Sequence, residues 1–247
     1  MTIIAFNRYW VIRWPWLLVN LFALMLLLGL SYWQWQRAEE KTKTLNRIAE
    51  SQQQVVTNIA GLLSKQPVER DGLKMDFNTR WISPIVWLID NRVVSGRIGY
   101  DVVIAVTDVE SANNSTPLLV NLGWVAAPND RSSLPLITIP ELLRIQGIFR
   151  TQTKGVLLGD NIENKGAWPM RIQQVDTAQL EEFLTQSPVE GVLYQEADSP
   201  FQIHYRPVVL PPERHKAYAV QWFLLAIALV VVGVIASSHK YSEGMKQ

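Results

Sequence analysis

Residues 14–36 and 217–238 contain no charged side chain. A helix needs about 20 consecutive apolar residues to cross the hydrocarbon core of a bilayer, so each stretch predicts a transmembrane helix. The first runs from Trp14 to about Trp33 around the core LLVNLFALMLLLGL. Trp10, Trp14 and Trp16 stand at one end, and Tyr32, Trp33 and Trp35 at the other. Aromatic rings with a polar edge favour the headgroup zone, so these read as two interfacial belts. Pro15 falls in the first turn, where its missing N–H costs nothing. A cleavable signal peptide has a shorter apolar run followed by small residues. Here the run ends in bulky YWQWQR, which favours a retained anchor. The second stretch, AYAVQWFLLAIALVVVGVIASS, follows Arg214, His215 and Lys216 and precedes His239 and Lys240.

Between the spans the periodicity changes twice. QRAEEKTKTLNRIAESQQQVVTNIAGLLSK has Leu45, Ile48, Val55, Ile59 and Leu62 at spacings of three, four and seven. That is the apolar face of a helix continuing the first span, with Gly61 inside its end and Pro67 terminating it. Then β-branched and aromatic residues take over in IVWLIDNRVVSGRIGYDVVIAVTDV, a hairpin or meander broken near NRVVSGR. Further strand candidates are PLLVNLGWVAA, LLRIQGIFR, MRIQQV, GVLYQEA and FQIHYRPVVL, separated by Asn, Gly, Asp, Ser and Pro clusters. One short helix fits Asp176–Leu184, with Asp176 as cap and Gln179 in a capping-box position. The expected fold is an α+β membrane protein. Two transmembrane helices flank a β-rich extracytoplasmic domain, an antiparallel sheet or partly closed barrel. The expected segments are a tail at 1–13, a span at 14–36, the domain at 37–216, a span at 217–238 and a tail at 239–247.

Charge orients this arrangement. The N-terminal tail carries Arg8 and Arg13 without an acid, and the C-terminal tail carries Lys240 and Lys246 against Glu243. Short basic flanks stay in the cytoplasm, which predicts N-in, C-in and a periplasmic central domain. An Arg- and Ser-rich amphipathic leader is absent, which points to a bacterial inner membrane over mitochondrial import. A net charge of +1 leaves no basic footprint for nucleic acid. With no cysteine, thiolate chemistry and thiolate metal sites are excluded, and three histidines argue against a His-rich metal centre. No P-loop, dinucleotide fingerprint, nucleophile elbow or H-E-x-x-H occurs. His204, in IHYRP, reads as an ordinary strand residue, and His239 as a headgroup anchor.

Four segments then line up with one family. Gly29-Leu30-Ser31-Tyr32-Trp33-Gln34-Trp35-Gln36-Arg37-Ala38 followed by Lys41 resembles the G-L-x-x-W-Q-x-x-R-x-x-x-K exit of the surfeit-locus (Shy-type) family. Asn91-Arg92 with Gly96 and Gly99-Tyr100-Asp101 is similar to its N-R-x-x-x-G-x-x-G-Y motif. Asn121-Leu122-Gly123-Trp124-Val125 resembles its N-R-G-W segment, with Leu122 where the family has arginine. Pro212-Glu213-Arg214-His215-Lys216-Ala217-Tyr218-Ala219-Val220-Gln221-Trp222-Phe223 is similar to its P-E-x-H-x-x-Y-A-x-Q-W-F signature, the most specific of the four. The resemblance implies an assembly factor for haem–copper cytochrome oxidase, without enzymatic turnover. It implies haem a as cargo, delivered to the catalytic subunit, with a haem a synthesis enzyme as a further partner.

Given that resemblance, His215 is the expected axial ligand of the haem iron, since one neutral imidazole nitrogen suffices. His215, Ala219, Trp222 and Ala226 fall on one helical stripe. Ala219 is small enough to leave room for a flat macrocycle, with Trp222 packing below it. Gly29, Trp33 and Gln36 form a similar stripe on the first span, so a Gly29–Ala219 interface is expected to hold the haem between the spans. Arg37 and Arg214 are candidates for propionate or headgroup contacts. Gly99 and Gly123 read as structural, and Tyr100 and Trp124 as core. Two other readings stand beside this one. A scaffold for oxidase subunits would bind no haem and would not need His215. A membrane-tethered hydrolase or sensor would need a clustered site in the outer domain.

Overall fold

The computed structural model describes residues 2–5, 8–11, 14–51, 54–110, 115–130, 133–151, 155, 157, 159–163, 166–207 and 210–240. They fall into two compact units, Met1–Leu45 with Val208–Gln247, and Asn46–Pro207.

The first unit is a helix pair with a small sheet. Strands β1 (Thr2–Ala5) and β2 (Arg8–Val11) precede α1 (Trp14–Ser51), while α5 (Pro212–Ser237) leads into β11 (Ser238–Lys240). The three strands pair antiparallel in the order β1-β2-β11. Both helices are long and apolar enough to cross a membrane. At 1.5 Å per residue, α1 is about 57 Å long and α5 about 39 Å, against a hydrocarbon core of about 30 Å. Their outward faces carry Leu18, Phe22, Leu26, Leu224, Val231 and Ile235 exposed, which is a lipid-facing composition.

α1 continues past the apolar run, as its helix-forming residues predict, but stops at Ser51 rather than near Lys65. Val55–Val56 form β3, paired parallel with the start of β4 (Lys74–Val94), because these β-branched residues find an open strand edge. Ile59–Leu63 then form α2, capped by Asn58, whose side chain accepts from Gly61 N. Pro67 opens α3 (Pro67–Arg70) instead of ending a long helix. Ile48, Ile59 and Leu62 of the expected apolar face are buried, but Val55 is exposed and Val56 turns inward instead, because a strand alternates its sides, so the face is kept only in part and is split over three elements.

The second unit is built on one mixed sheet. Besides β3 and β4 it contains β5 (Arg97–Asp108), β6 (Leu118–Ala126), β7 (Leu142–Arg150), β8 (Ile162–Glu163), β9 (Met170–Ile172) and β10 (Val192–Gln195). The hairpin β4–β5 turns at Ser95-Gly96, both at positive φ, inside the predicted break. β4 begins well before the predicted run. Met75, Phe77 and Thr79 point inward while Asp76, Asn78 and Arg80 are less buried, and this polar half hides the strand from a search for apolar runs. Its register shifts between Trp81 and Val86, around Pro84, which has no N–H to donate to a ladder.

The antiparallel expectation is corrected: β6–β10, β3–β4 and β4–β9 run parallel. Parallel neighbours need long crossovers, and strand composition carries no record of pairing direction. β4 pairs with β7 through Lys74–Arg80 and with β5 through Thr79–Val94, so the path β5-β6-β10-β7-β4 returns to β5. The described residues of FQIHYRPVVL join no ladder strand. Gln202 alone bridges Trp124, beyond the stretch of β6 that β10 occupies, and side chains hold the residues that follow.

Apolar clusters cover both sheet faces. Along β5, Tyr100, Val102, Ile104 and Val106 enter one cluster while Val103 and Ala105 enter the other. That accounts for continuous apolar runs in place of strict alternation. In the second cluster Trp87 meets Trp168 and Phe183 edge-on. α4 (Thr177–Leu180) and a 3-10 turn at Glu181–Phe183 occupy the predicted short helix. Asp176 accepts from Ala178 N as expected. The Gln179 side chain instead accepts from Asn161 Nδ2 at 2.8 Å.

Candidate functional site

His215 sits in the first turn of α5, on the stripe that faces α1. It is 9 % exposed, and Ala219 and Ala226 below it are buried. Two hydrogen bonds join this stripe to α1. Ser31 Oγ donates to Ala219 O at 2.9 Å, and His215 Nδ1 lies 2.7 Å from Gln34 Oε1. An amide oxygen only accepts, so the hydrogen is on Nδ1 and the Nε2 lone pair is left for another partner. A metal-ligating imidazole has the same arrangement, its second nitrogen held by a carbonyl that fixes tautomer and ring orientation. The donor therefore fits a haem iron.

The remaining candidates divide between two faces. Trp222 is half-buried on the stripe with His215 and Ala219. Gly29, Trp33 and Arg37 lie on the exposed face of α1, and a Cβ added at Gly29 would meet nothing within 4 Å. The structure thus does not bring Gly29 against Ala219. Ser31 and Gln34 take that place, because the face of α1 toward α5 is offset from the Gly29 stripe. Arg37 donates to Glu40 Oε2 at 2.8 Å and stacks over Trp33 at 5.9 Å. Arg214 is exposed, off the His215 stripe. Gln34 was the available signal for the imidazole's partner, since it stands inside the W-Q segment of the exit motif.

The helix pair also has an apolar cleft of about 310 Å³, lined by Trp16, Leu17, Leu24, Leu229, Gly233 and others, none of them histidine. Gly233 lies about 27 Å along α5 from His215. A Cβ there would meet Asn20 Oδ1 at 3.4 Å, so Gly233 is a small residue at which these helices come close.

The other motifs converge in the second unit. Asp101 is buried, and its Oδ1 lies 2.5 Å from His204 Nε2. Its Oδ2 faces Arg92 Nε at 3.4 Å and accepts from Asn121 Nδ2 at 3.2 Å. Asn121 Oδ1 accepts from Gly123 N, and Trp124 Nε1 donates to Arg92 O. The N-R…G-Y-D and N-x-G-W segments are therefore two halves of one polar cluster at the edge of the core. Sequence reading missed His204 as a member, because its partner is 103 positions away. Gly99 and Gly123 allow close approach: a Cβ at Gly99 would lie 2.1 Å from Val125 O, and one at Gly123 2.8 Å from Gln202 O. Tyr100 and Trp124 are buried. Leu122, where the family has arginine, is fully buried among apolar residues.

In chain order a β-rich domain lies between two helices long and apolar enough to cross a membrane, and an imidazole is bonded across the helix pair, an arrangement consistent with a two-span membrane protein. The SURF1 family model matches residues 21–227, and the chain belongs to that family. The family is associated with cytochrome oxidase assembly and is not a catalytic one. None of the curated proteins matches the chain.

Proposed function

We propose that this protein is an inner-membrane carrier of haem a that hands its cargo to the catalytic subunit of cytochrome oxidase. His215 Nε2 would hold the haem iron, with Ala219 and Trp222 as the adjoining surface. The observation that carries this reading is the His215 Nδ1–Gln34 Oε1 bond, which leaves a single oriented nitrogen lone pair. Because His215 is only 9 % exposed, cargo reaches it when the mouth of the helix pair loosens. A single imidazole nitrogen would be enough to hold the iron reversibly, as a carrier requires. The test is the absorption spectrum of the detergent-purified protein after co-expression with haem a synthesis enzymes. A haem a spectrum that co-purifies in stoichiometric amount supports the carrier, and a colourless preparation favours the scaffold.

The same reading sets both tails in the cytoplasm and the β-rich unit in the periplasm of a bacterial cell. The basic tails support this orientation. Reporter fusions at Leu136, an exposed position, are expected to report the periplasm, and fusions after Lys240 the cytoplasm. A cytoplasmic signal at Leu136 reverses the orientation.

A further inference from the structure

Beside the Asp101 cluster, the second unit contains a cavity of about 320 Å³ between β4, β7, β10 and the segment that ends at Tyr205. Arg92 and Arg150 reach it from different strands, with Gln174 and Tyr205, and among the described residues no carboxylate lines it. Arg150 Nε donates to Asp71 Oδ1 at 2.8 Å, and Arg150 Nη1 donates to Tyr205 Oη at 2.7 Å. A guanidinium only donates, so Tyr205 Oη is the acceptor there and its own hydrogen is left over. Gln174 Oε1 accepts from Gly155 N at 2.8 Å, which leaves the Gln174 amide hydrogens.

Consider what then has no partner among the described residues. The groups are both terminal nitrogens of Arg92, Nη2 of Arg150, the Tyr205 O–H and the Gln174 amide. All of them are donors. Burial pushes the Tyr205 phenol up to about 12, so it stays protonated at neutral pH and can donate. Charge points the same way. Asp71 is shared by Arg150 and Arg47, and Asp101 serves Arg92, so three guanidiniums face two carboxylates. The Tyr194–Tyr205 stack, with centroids 3.9 Å apart, supplies a flat apolar wall, and Ile89 and Val175 supply more.

We propose that this cavity binds a small ligand carrying a carboxylate or phosphate group, its oxygens held by Arg92, Arg150 and Tyr205. Guanidinium forks match both groups with paired N–H···O bonds. The volume suits a compact metabolite-sized ligand with some apolar surface against the tyrosines.

The test is calorimetric titration of the full-length protein in detergent with inorganic phosphate and, separately, with succinate, at matched ionic strength. Saturable one-site binding of at least one is expected. Phosphate alone assigns a phosphoryl ligand, and succinate alone a carboxylate. Tyr205→Phe and Arg92→Gln each weaken binding about tenfold, the loss expected for one hydrogen bond to a charged group. Arg92 also neutralises buried Asp101, so Arg92→Gln is read only if its thermal unfolding stays cooperative. Tyr205→Phe carries the test otherwise. No saturable heat with either probe, or unchanged affinity in Tyr205→Phe, overturns the proposal.

Discussion

Replacing His215 by alanine is expected to abolish the haem a spectrum of the co-expressed protein, while the protein itself stays inserted and abundant. The imidazole supplies the axial nitrogen of the proposed site, and Ala219 and Ala226 below it have no donor side chain. Insertion depends on the apolar runs of α1 and α5, which the substitution leaves intact. Gln34→Leu should act more mildly. It removes the acceptor that orients Nδ1–H, and loss of such outer partners weakens metal affinity about 10–100-fold. Its spectrum should keep the wild-type shape at lower occupancy. His204→Ala and His239→Ala should leave the spectrum unchanged, although His204→Ala also strips a partner from buried Asp101. A His215→Ala protein that keeps the wild-type spectrum and affinity ends the ligand assignment and moves the haem iron to another residue.

Gly99→Ala should be among the most damaging single-methyl changes in the β-rich unit. The added carbon would stand 2.1 Å from Val125 O and 2.5 Å from the Trp124 ring. Neither neighbour can yield easily. Val125 is in the β5–β6 ladder, and the Trp124 indole is pinned by its bond to Arg92 O. Overpacking of this kind costs about 3 kcal/mol, and more where backbone must move. For a unit of this size that is a drop of about 10 °C in the midpoint of thermal unfolding. The measurement uses the excised segment 46–207, which has its own core and is expected to unfold cooperatively. Gly96→Ala is the internal comparison. It sits at φ +77° with nothing within 4 Å of the new carbon, so only the backbone preference is lost, about 1 kcal/mol. A Gly99→Ala midpoint within two or three degrees of that control contradicts the packing argument.

Much of this molecule was legible in local pattern. The spans, the helical continuation of the first, the hairpin turn at Ser95-Gly96 and the Asp176 cap each follow from residues near one another in the chain. The His215–Ala219–Trp222–Ala226 stripe is a consequence of helical period alone. Less legible was whatever depended on a partner. Val55–Val56 continue a helical apolar spacing, yet they become a strand because β4 offers them an edge. The polar first half of β4 becomes a strand because β7 pairs with it.

For the site the division is the same. Sequence alone determined that two apolar segments bracket a β-rich domain, and that His215 begins the second segment in the family's most specific motif. Local period, hydrophobicity and motif spacing are properties of contiguous residues, so no fold was needed to read them. Only the tertiary structure decided which face of α1 meets that histidine. A helix pair buries one strip of each partner, and on α1 the strip contains Ser31 and Gln34, leaving Gly29 and Trp33 outside. It also decided that Asp101 takes His204, Arg92 and Asn121, and that Arg150 meets Tyr205. Those partners lie between 9 and 103 positions apart and come together only when the sheet closes its long-range pairings. The side-chain hydrogen bond is short-ranged, and chain order holds no record of which distant residues will fall within its reach.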